Sequence, residues 1–188
     1  MRSRILVTAA LAVGLAACGS PDTNEETATA DATVPADPAT DTANEAVATL
    51  QTAEGAAAGT ATATVGPAGI MIALNVTGLP PGEHGVHVHM TGSCEAPAFE
   101  SAGGHWNPEN QTHGLEDPAG QHAGDMPNLT VAEDGTGTLE YQLIGGTFEG
   151  LLDADGSAFV VHADPDDQMT DPSGNSGARI ACGVFSAS

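Results

Sequence analysis

The sequence predicts an all-β domain, a sandwich or barrel of eight short strands with one long loop region. Three observations point there. Beyond residue 46 the apolar runs are short and bounded by Gly, Pro, Asp and Asn. No stretch repeats its apolar residues at a helical period. The 24 glycines among 188 residues weigh further against helix.

Met1 to Ala17 reads as an export signal, with Arg2 and Arg4 ahead of an apolar run from Ile5 to Ala17. That run is too short to span a bilayer. Leu15-Ala16-Ala17 ahead of Cys18 resembles a bacterial lipobox, in which the cysteine becomes the lipidated first residue after cleavage. Gly19 behind it is compatible with outer-membrane sorting. The expectation is export to the periplasm or cell envelope and a lipid anchor at Cys18, probed by asking whether Cys18→Ser frees the chain. Three cysteines is an odd count for an exported chain, and setting Cys18 aside leaves an even two, in an oxidising compartment.

Residues 18–46 carry Val34 as their one large aliphatic side chain, so they read as a disordered acidic tether that cannot bury enough apolar surface to fold. Loss of Arg2 and Arg4 with the signal takes the net charge from −22 to −24. Arg179 is then the only Lys or Arg. With no basic patch to meet phosphates, nucleic acid is excluded as a partner. Most of the carboxylates read as a solvated surface.

Residues 47–188 are long enough for one domain with its own core. Its expected strands are Val47–Thr52, Ala56–Val65, Ile70–Thr77, His84–His89, Leu129–Ala132, Thr138–Leu143, Ala158–His162 and Ile180–Phe185. Met90 to Asn128 is too long for an ordinary hairpin connection, and structureless loops of that length are usually functional.

The chemistry starts in the fourth strand. Val86 and Val88 alternate with His87 and His89, so the valines face a core while the histidines share the other side. Five further ligand types follow: His105, His113, His122, Asp125 and His162. Seven are too many for one tetrahedral ion, and two ions are expected. A single zinc site built from the loop residues would leave His87, His89 and His162 unexplained. His84, three residues before His87, falls on the valine side and is not expected to be a ligand.

The fragments Gly85-Val86-His87-Val88-His89, Gly103-Gly104-His105-Trp106-Asn107-Pro108, His113-Gly114, His122-Ala123-Gly124-Asp125, Val160-Val161-His162 and Gly177-Ala178-Arg179-Ile180-Ala181-Cys182-Gly183-Val184 stand in the order seen in copper/zinc superoxide dismutases. The chain resembles the exported bacterial members of that family over essentially all of residues 47–188. The resemblance implies an eight-stranded Greek-key barrel with long metal-binding loops, one copper and one zinc ion per subunit, and dismutation of superoxide to oxygen and hydrogen peroxide.

Carried over residue by residue, it implies copper on His87, His89, His105 and His162, and zinc on His105, His113, His122 and Asp125. His105 would bridge the two ions as an imidazolate and serve in catalysis. Asp166 would be the carboxylate that ties His87 to His113, whereas Asp164 and Asp167 read as solvated loop charges. Cys94 and Cys182 would form the disulfide that fastens the loop to the last strand. Arg179 would draw the anion to copper, Trp106 would pack, and Ser173 falls at the channel mouth. The chain departs from the eukaryotic pattern in that Gln168 to Gly174 holds one acid and no base. It also lacks the lysine-bearing insertion that some bacterial members carry between the positions of Cys94 and His105. A copper-storage lipoprotein would need neither Arg179 nor a bridging imidazole, and an adhesion-type sandwich gives no reason for six aligned histidines. A homodimer is left open.

Overall fold

Small apolar residues alternate with Thr along the first strands, which lets one face of a sheet close on the core while the other meets water. The structure, a computed structural model, describes residues 44–188. The expected export signal, Cys18 and the expected tether up to residue 43 lie outside them. Nine strands follow: β1 Glu45–Thr52, β2 Ala57–Gly66, β3 Gly69–Val76, β4 Gly82–His84, β5 Val86–His89, β6 Leu129–Val131, β7 Gly137–Gln142, β8 Ala158–His162 and β9 Arg179–Ala187. The inward series is Ala46, Ala48 and Leu50 on β1, Ala58, Ala61 and Ala63 on β2, and Ile70, Ile72, Leu74 and Val76 on β3.

All pairings are antiparallel, and seven strands form one sheet in the order β5-β8-β9-β1-β2-β3-β7. β4 pairs with β6 in a second, small sheet. β4 runs into β5, and β6 into β7, so the chain itself leads both edges of the large sheet into this small pair. That arrangement leaves little open edge for unwanted strand pairing.

The expected strands are present, with differences that have local causes. The fourth is broken at Gly85, whose N–H donates to Asp164 O (2.9 Å) and whose carbonyl accepts from His162 N (2.8 Å). β1 starts at Glu45, two residues early, because Ala46 is buried beneath β9 opposite Ala187. The only α-helix among the described residues is a single turn, α1 Phe148–Leu151, where Thr147 Oγ1 accepts from Gly150 N.

β8 is buried on both sides. Phe159 and Val161 enter the main core, and Ala158 and Val160 face a second cluster with Phe99, Ala102 and Cys182. Full burial of Phe159 is worth roughly 1.5–3 kcal/mol. The second cluster is the floor for the long loop after β5. A disulfide from Cys94 to Cys182 spans 88 residues of sequence, as the resemblance implied. Closing a loop of that length stabilises the fold by roughly 4–5 kcal/mol on the chain-entropy account.

Candidate metal centre

Strand register decides which side chains reach this second layer. His87 lies opposite Val160 and His89 opposite Ala158, so both histidines share the loop-facing side of β8. The register slips between Val161 and His162, where β8 meets β9, and His162 turns into the same layer. The long loop then lies along β5: Trp106 N donates to Val88 O (2.8 Å), Val88 N to Gly124 O (3.0 Å) and Gly124 N to Trp106 O (2.9 Å). These bonds place Asp125 opposite His87 and His105 opposite His89. Trp106 is buried in the main core and pins the loop there, as expected of a packing residue.

Two groups result, His87, His89, His105, His162 and His105, His113, His122, Asp125, each with its nitrogen or carboxylate atoms within 4.8 Å of one another. All seven residues are buried. His105 belongs to both groups. The structure thus brings together every residue singled out as a ligand.

Neighbouring acceptors fix which nitrogen of each ring faces the cluster. His89 Nδ1 donates to Gly103 O (3.0 Å) and His162 Nδ1 to Gly177 O (3.3 Å). A carbonyl only accepts, so those nitrogens carry the protons and each Nε2 presents a lone pair. The two Nε2 atoms face each other at 3.4 Å. Two lone pairs so placed repel unless a cation lies between them. His87 Nε2 bonds Asp166 Oδ2 (2.6 Å), which leaves buried His87 Nδ1 without a partner. His105 Nδ1 bonds Asp125 Oδ1 (2.8 Å), and buried His105 Nε2 likewise has none. Buried polar atoms are almost always satisfied, so these two unpartnered nitrogens fit the part of metal ligands.

On the loop side, Nδ1 of His105 lies 3.4 Å from Nδ1 of His122. His113 Nδ1 stands 3.1 Å from Asp125 Oδ2 without completing a hydrogen bond. Asp125 Oδ2 accepts instead from the backbone of Gly114 (2.9 Å) and His122 (3.0 Å). Asp166 joins the two groups, since its Oδ1 bonds His113 Nε2 at 3.1 Å. Gly174, at φ +61°, makes room for that carboxylate, and a Cβ there would collide with it.

The electrostatics differ between the sides. Burial, then the neighbouring His87, holds His105 at about 4, and the same two causes hold His162 at about 3. His89 is held well below the usual range by burial and by His105. Burial opposes charge on His113 too, but the carboxylates of Asp125 and Asp166, each 3.1 Å away, outweigh it and raise that group to about 9. Burial would raise Asp125, yet the adjoining rings of His105, His113 and His122 pull it far below the carboxylate range.

A cavity of about 480 Å³ opens over His89, His105 and His162, with Arg179 and Ser173 in its wall. Arg179 heads β9, one residue earlier than expected, and its Nη1 and Nη2 donate to Phe99 O and Gly103 O, each at 2.6 Å. Phe99 sits at φ 54°, a strained backbone for a non-glycine, and is held there between the second core and Arg179.

The sequence did not point to several of these supports. Asn128 exchanges two hydrogen bonds with the backbone of Asp166 (2.9 and 2.8 Å), and Asp171 Oδ1 accepts from His113 N (2.9 Å). Exposed Asp167 is more than a solvated charge, because its Oδ1 accepts from Met169 N and Thr170 N and its Oδ2 from Asn175. Exposed Asp164 accepts Gly85 N on its backbone carbonyl. His84 stays outside both groups, as expected, but it is buried and bonds His162 O (2.8 Å) and Pro80 O (2.9 Å).

Comparison with known proteins agrees with this geometry. The family model for copper/zinc superoxide dismutase matches residues 55–185. A superoxide dismutase [Cu-Zn] of Caulobacter vibrioides is 45% identical over 147 residues, covering 74% of this chain and 84% of that one. The crystal structure of a SOD-like protein from Bacillus subtilis superposes with a TM-score of 0.68 at 43% identity, over 73% of this chain and 96% of that one. The Cu/Zn superoxide dismutase from Brucella abortus does so with 0.62 at 28% identity, over 76% and 99%. Two buried histidine groups sharing one imidazole, in a chain this similar to those enzymes, belong to a copper/zinc superoxide dismutase.

Proposed function

We propose that copper is held by His87 Nδ1 and by the Nε2 atoms of His89, His105 and His162, and zinc by His105, His113, His122 and Asp125. The single observation that carries the copper assignment is the pair of facing lone pairs on His89 and His162, 3.4 Å apart. Imidazole suits both oxidation states of copper, and three imidazoles with a carboxylate close a tetrahedron around zinc. Asp166, bonded to His87 and His113, orients one ring of each set.

Copper held there would supply the one-electron redox chemistry by which superoxide is dismutated to oxygen and hydrogen peroxide. The chain's own residues do the rest. Arg179, fixed by two carbonyls, presents the cation that orients the anion in the cavity. His105 belongs to both groups, and its Nε2, whenever it is free of metal, would be the atom that carries a proton to the departing peroxide. Asp125 lies 2.8 Å from the opposite nitrogen of that ring, and zinc shared by the two would keep the ring aligned.

The export signal and Cys18 support a lipid-anchored form on the outer membrane of the cell envelope, and pairing of copies as a homodimer is read by sedimentation. Metal analysis of the purified chain with a superoxide assay tests the central reading. One copper and one zinc per chain is expected, with activity lost on chelation and regained only with both ions. Zinc uptake without copper would overturn the copper assignment.

A further inference from the structure

One side chain in the cavity wall has no part in the reading above. Met90 directly follows His89 and lines the same cavity as His89, His105, His162 and Arg179. It is 54% exposed, so its sulfur is open to solvent at the cavity mouth. Its backbone is tied to the loop. Met90 N donates to Gly104 O (2.9 Å), and the side chain lies over Gly103, where a Cβ would come within 3.0 Å of Met90 Cγ and 3.6 Å of its sulfur. Gly103, at φ +74°, therefore leaves a seat for the thioether. The same glycine's carbonyl accepts from both His89 and Arg179, which line the cavity with Met90.

We propose that the Met90 thioether is a docking ligand for monovalent copper at the mouth of the cavity, from which the ion passes to Nε2 of His89 and His162. The inference rests on the reading that those histidines hold copper. A thioether is a soft donor that selects Cu(I) and ignores the hard ions. That selectivity answers a need created by the surface. With 18 acids and one arginine from residue 47 onward, the domain draws cations of every kind toward itself. Carboxylates cannot sort copper from calcium or magnesium, and Arg179 repels all of them at the last step. A neutral sulfur at the mouth is attractive to one ion only. Among the described residues the other sulfurs are unsuited: Cys94 and Cys182 are bonded to each other, Met126 is fully buried, and Met71 and Met169 do not line this cavity.

The test uses the full chain, zinc-loaded and copper-free, mixed with Cu(I) held in a bicinchoninate complex whose fading colour reports transfer. Met90→Leu keeps the volume and removes the sulfur. Its Cu(I) uptake is expected to be roughly tenfold slower than wild type, equivalent to about 1.4 kcal/mol of capture free energy. The final copper content should be unchanged, because the imidazoles set it. Uptake of Cu(II) from a glycine complex should be unaffected, and Met169→Leu, equally exposed at 55%, should behave as wild type. An unchanged Cu(I) rate in Met90→Leu overturns the docking role, and so does an equal slowing of Cu(I) and Cu(II), which marks a merely steric effect. A wild-type chain that takes up no copper would instead overturn the ligand reading beneath it.

Discussion

The two halves of the metal centre are held in place by different physics. His87, His89 and His162 stand on strands, placed by ladder register and buried in a neutral state. His113, His122 and Asp125 stand on a loop, where carboxylates compensate the charge on His113. Without metal the loop half can satisfy itself as an ion pair, whereas the strand half is left with opposed lone pairs. Geometry comes from the sheet on one side and from charge on the other, and only His105 belongs to both.

The sharpest way to break that contrast is to remove the shared ring. His105→Ala should uncouple the ions and lower kcat/KM by more than about a hundredfold, the usual scale for losing an acid–base group. His84→Ala should retain both metals. On sequence alone that variant looks nearly silent, but His84 bonds the carbonyls of His162 and Pro80, so a loss of thermal stability is expected. Equal loss of activity in the two variants would refute the ligand assignment.

Asp166→Asn removes the charge that serves both halves, and both should weaken together. A fall of about 10–100-fold in metal affinity is expected, measured by competition with a chelator. If zinc affinity alone falls, the carboxylate supports only the loop half.

Acidity separates the halves in the metal-free protein. His105 and His162 titrate at about 4 and 3 in the fold, below the ordinary value near 6.5, so the unfolded chain binds more protons between those limits. Their contribution to stability is therefore lost as pH falls from 6.5 toward 4. His113, raised to about 9, acts oppositely: its contribution is present below 6.5 and is lost as pH rises through 9. Denaturant midpoints of the stripped protein at pH 4.5, 6.5 and 8.5 should peak at the middle value. A midpoint that keeps rising to pH 8.5 would show that the loop half does not hold its ion pair.

The smallest effect is that of salt. From residue 47 onward the charge is −17, and two divalent metals with an imidazolate bridge bring it to −14. This field repels superoxide, and only Arg179 and the copper attract it locally. Such steering is worth about one to three orders of magnitude in on-rate, and this family is itself a well-worked instance. Salt screens distant charges first, over about 10 Å at 0.1 M. kcat/KM should stay flat or rise slightly from low to moderate ionic strength, and more steeply in Arg179→Ala. A clear fall for the wild type would mean that attraction dominates.

The ligands were legible because Val-His-Val-His combines strand alternation with residues of specific chemistry, and because six of the chain's seven histidines fall in the recognisable fragments. Their supports were not. The acceptors that fix the rings of His89 and His162 are the carbonyls of Gly103 and Gly177, and a carbonyl carries no residue-type signal. Asn128 and Asp171 reach the site from other parts of the chain, through contacts that local pattern does not encode. The break at Gly85 is also a tertiary effect, set by Asp164, His162 and the approach of Ser176, whose Cβ would lie 2.8 Å from a Cβ placed there.

The burial of β8 on both faces ties metal supply to the lifetime of the protein. Copper and zinc would sit within the loop-covered layer that encloses Phe99, Val160 and the disulfide, so vacating the site loosens the cover over a sheet face rather than emptying a surface pocket. A bound ion at a hundred times its dissociation constant adds about 2.7 kcal/mol against unfolding. Through proteolysis of the opened form, that difference becomes turnover: chains that never receive metal are degraded first, and the surviving pool is enriched in active enzyme without any dedicated quality control.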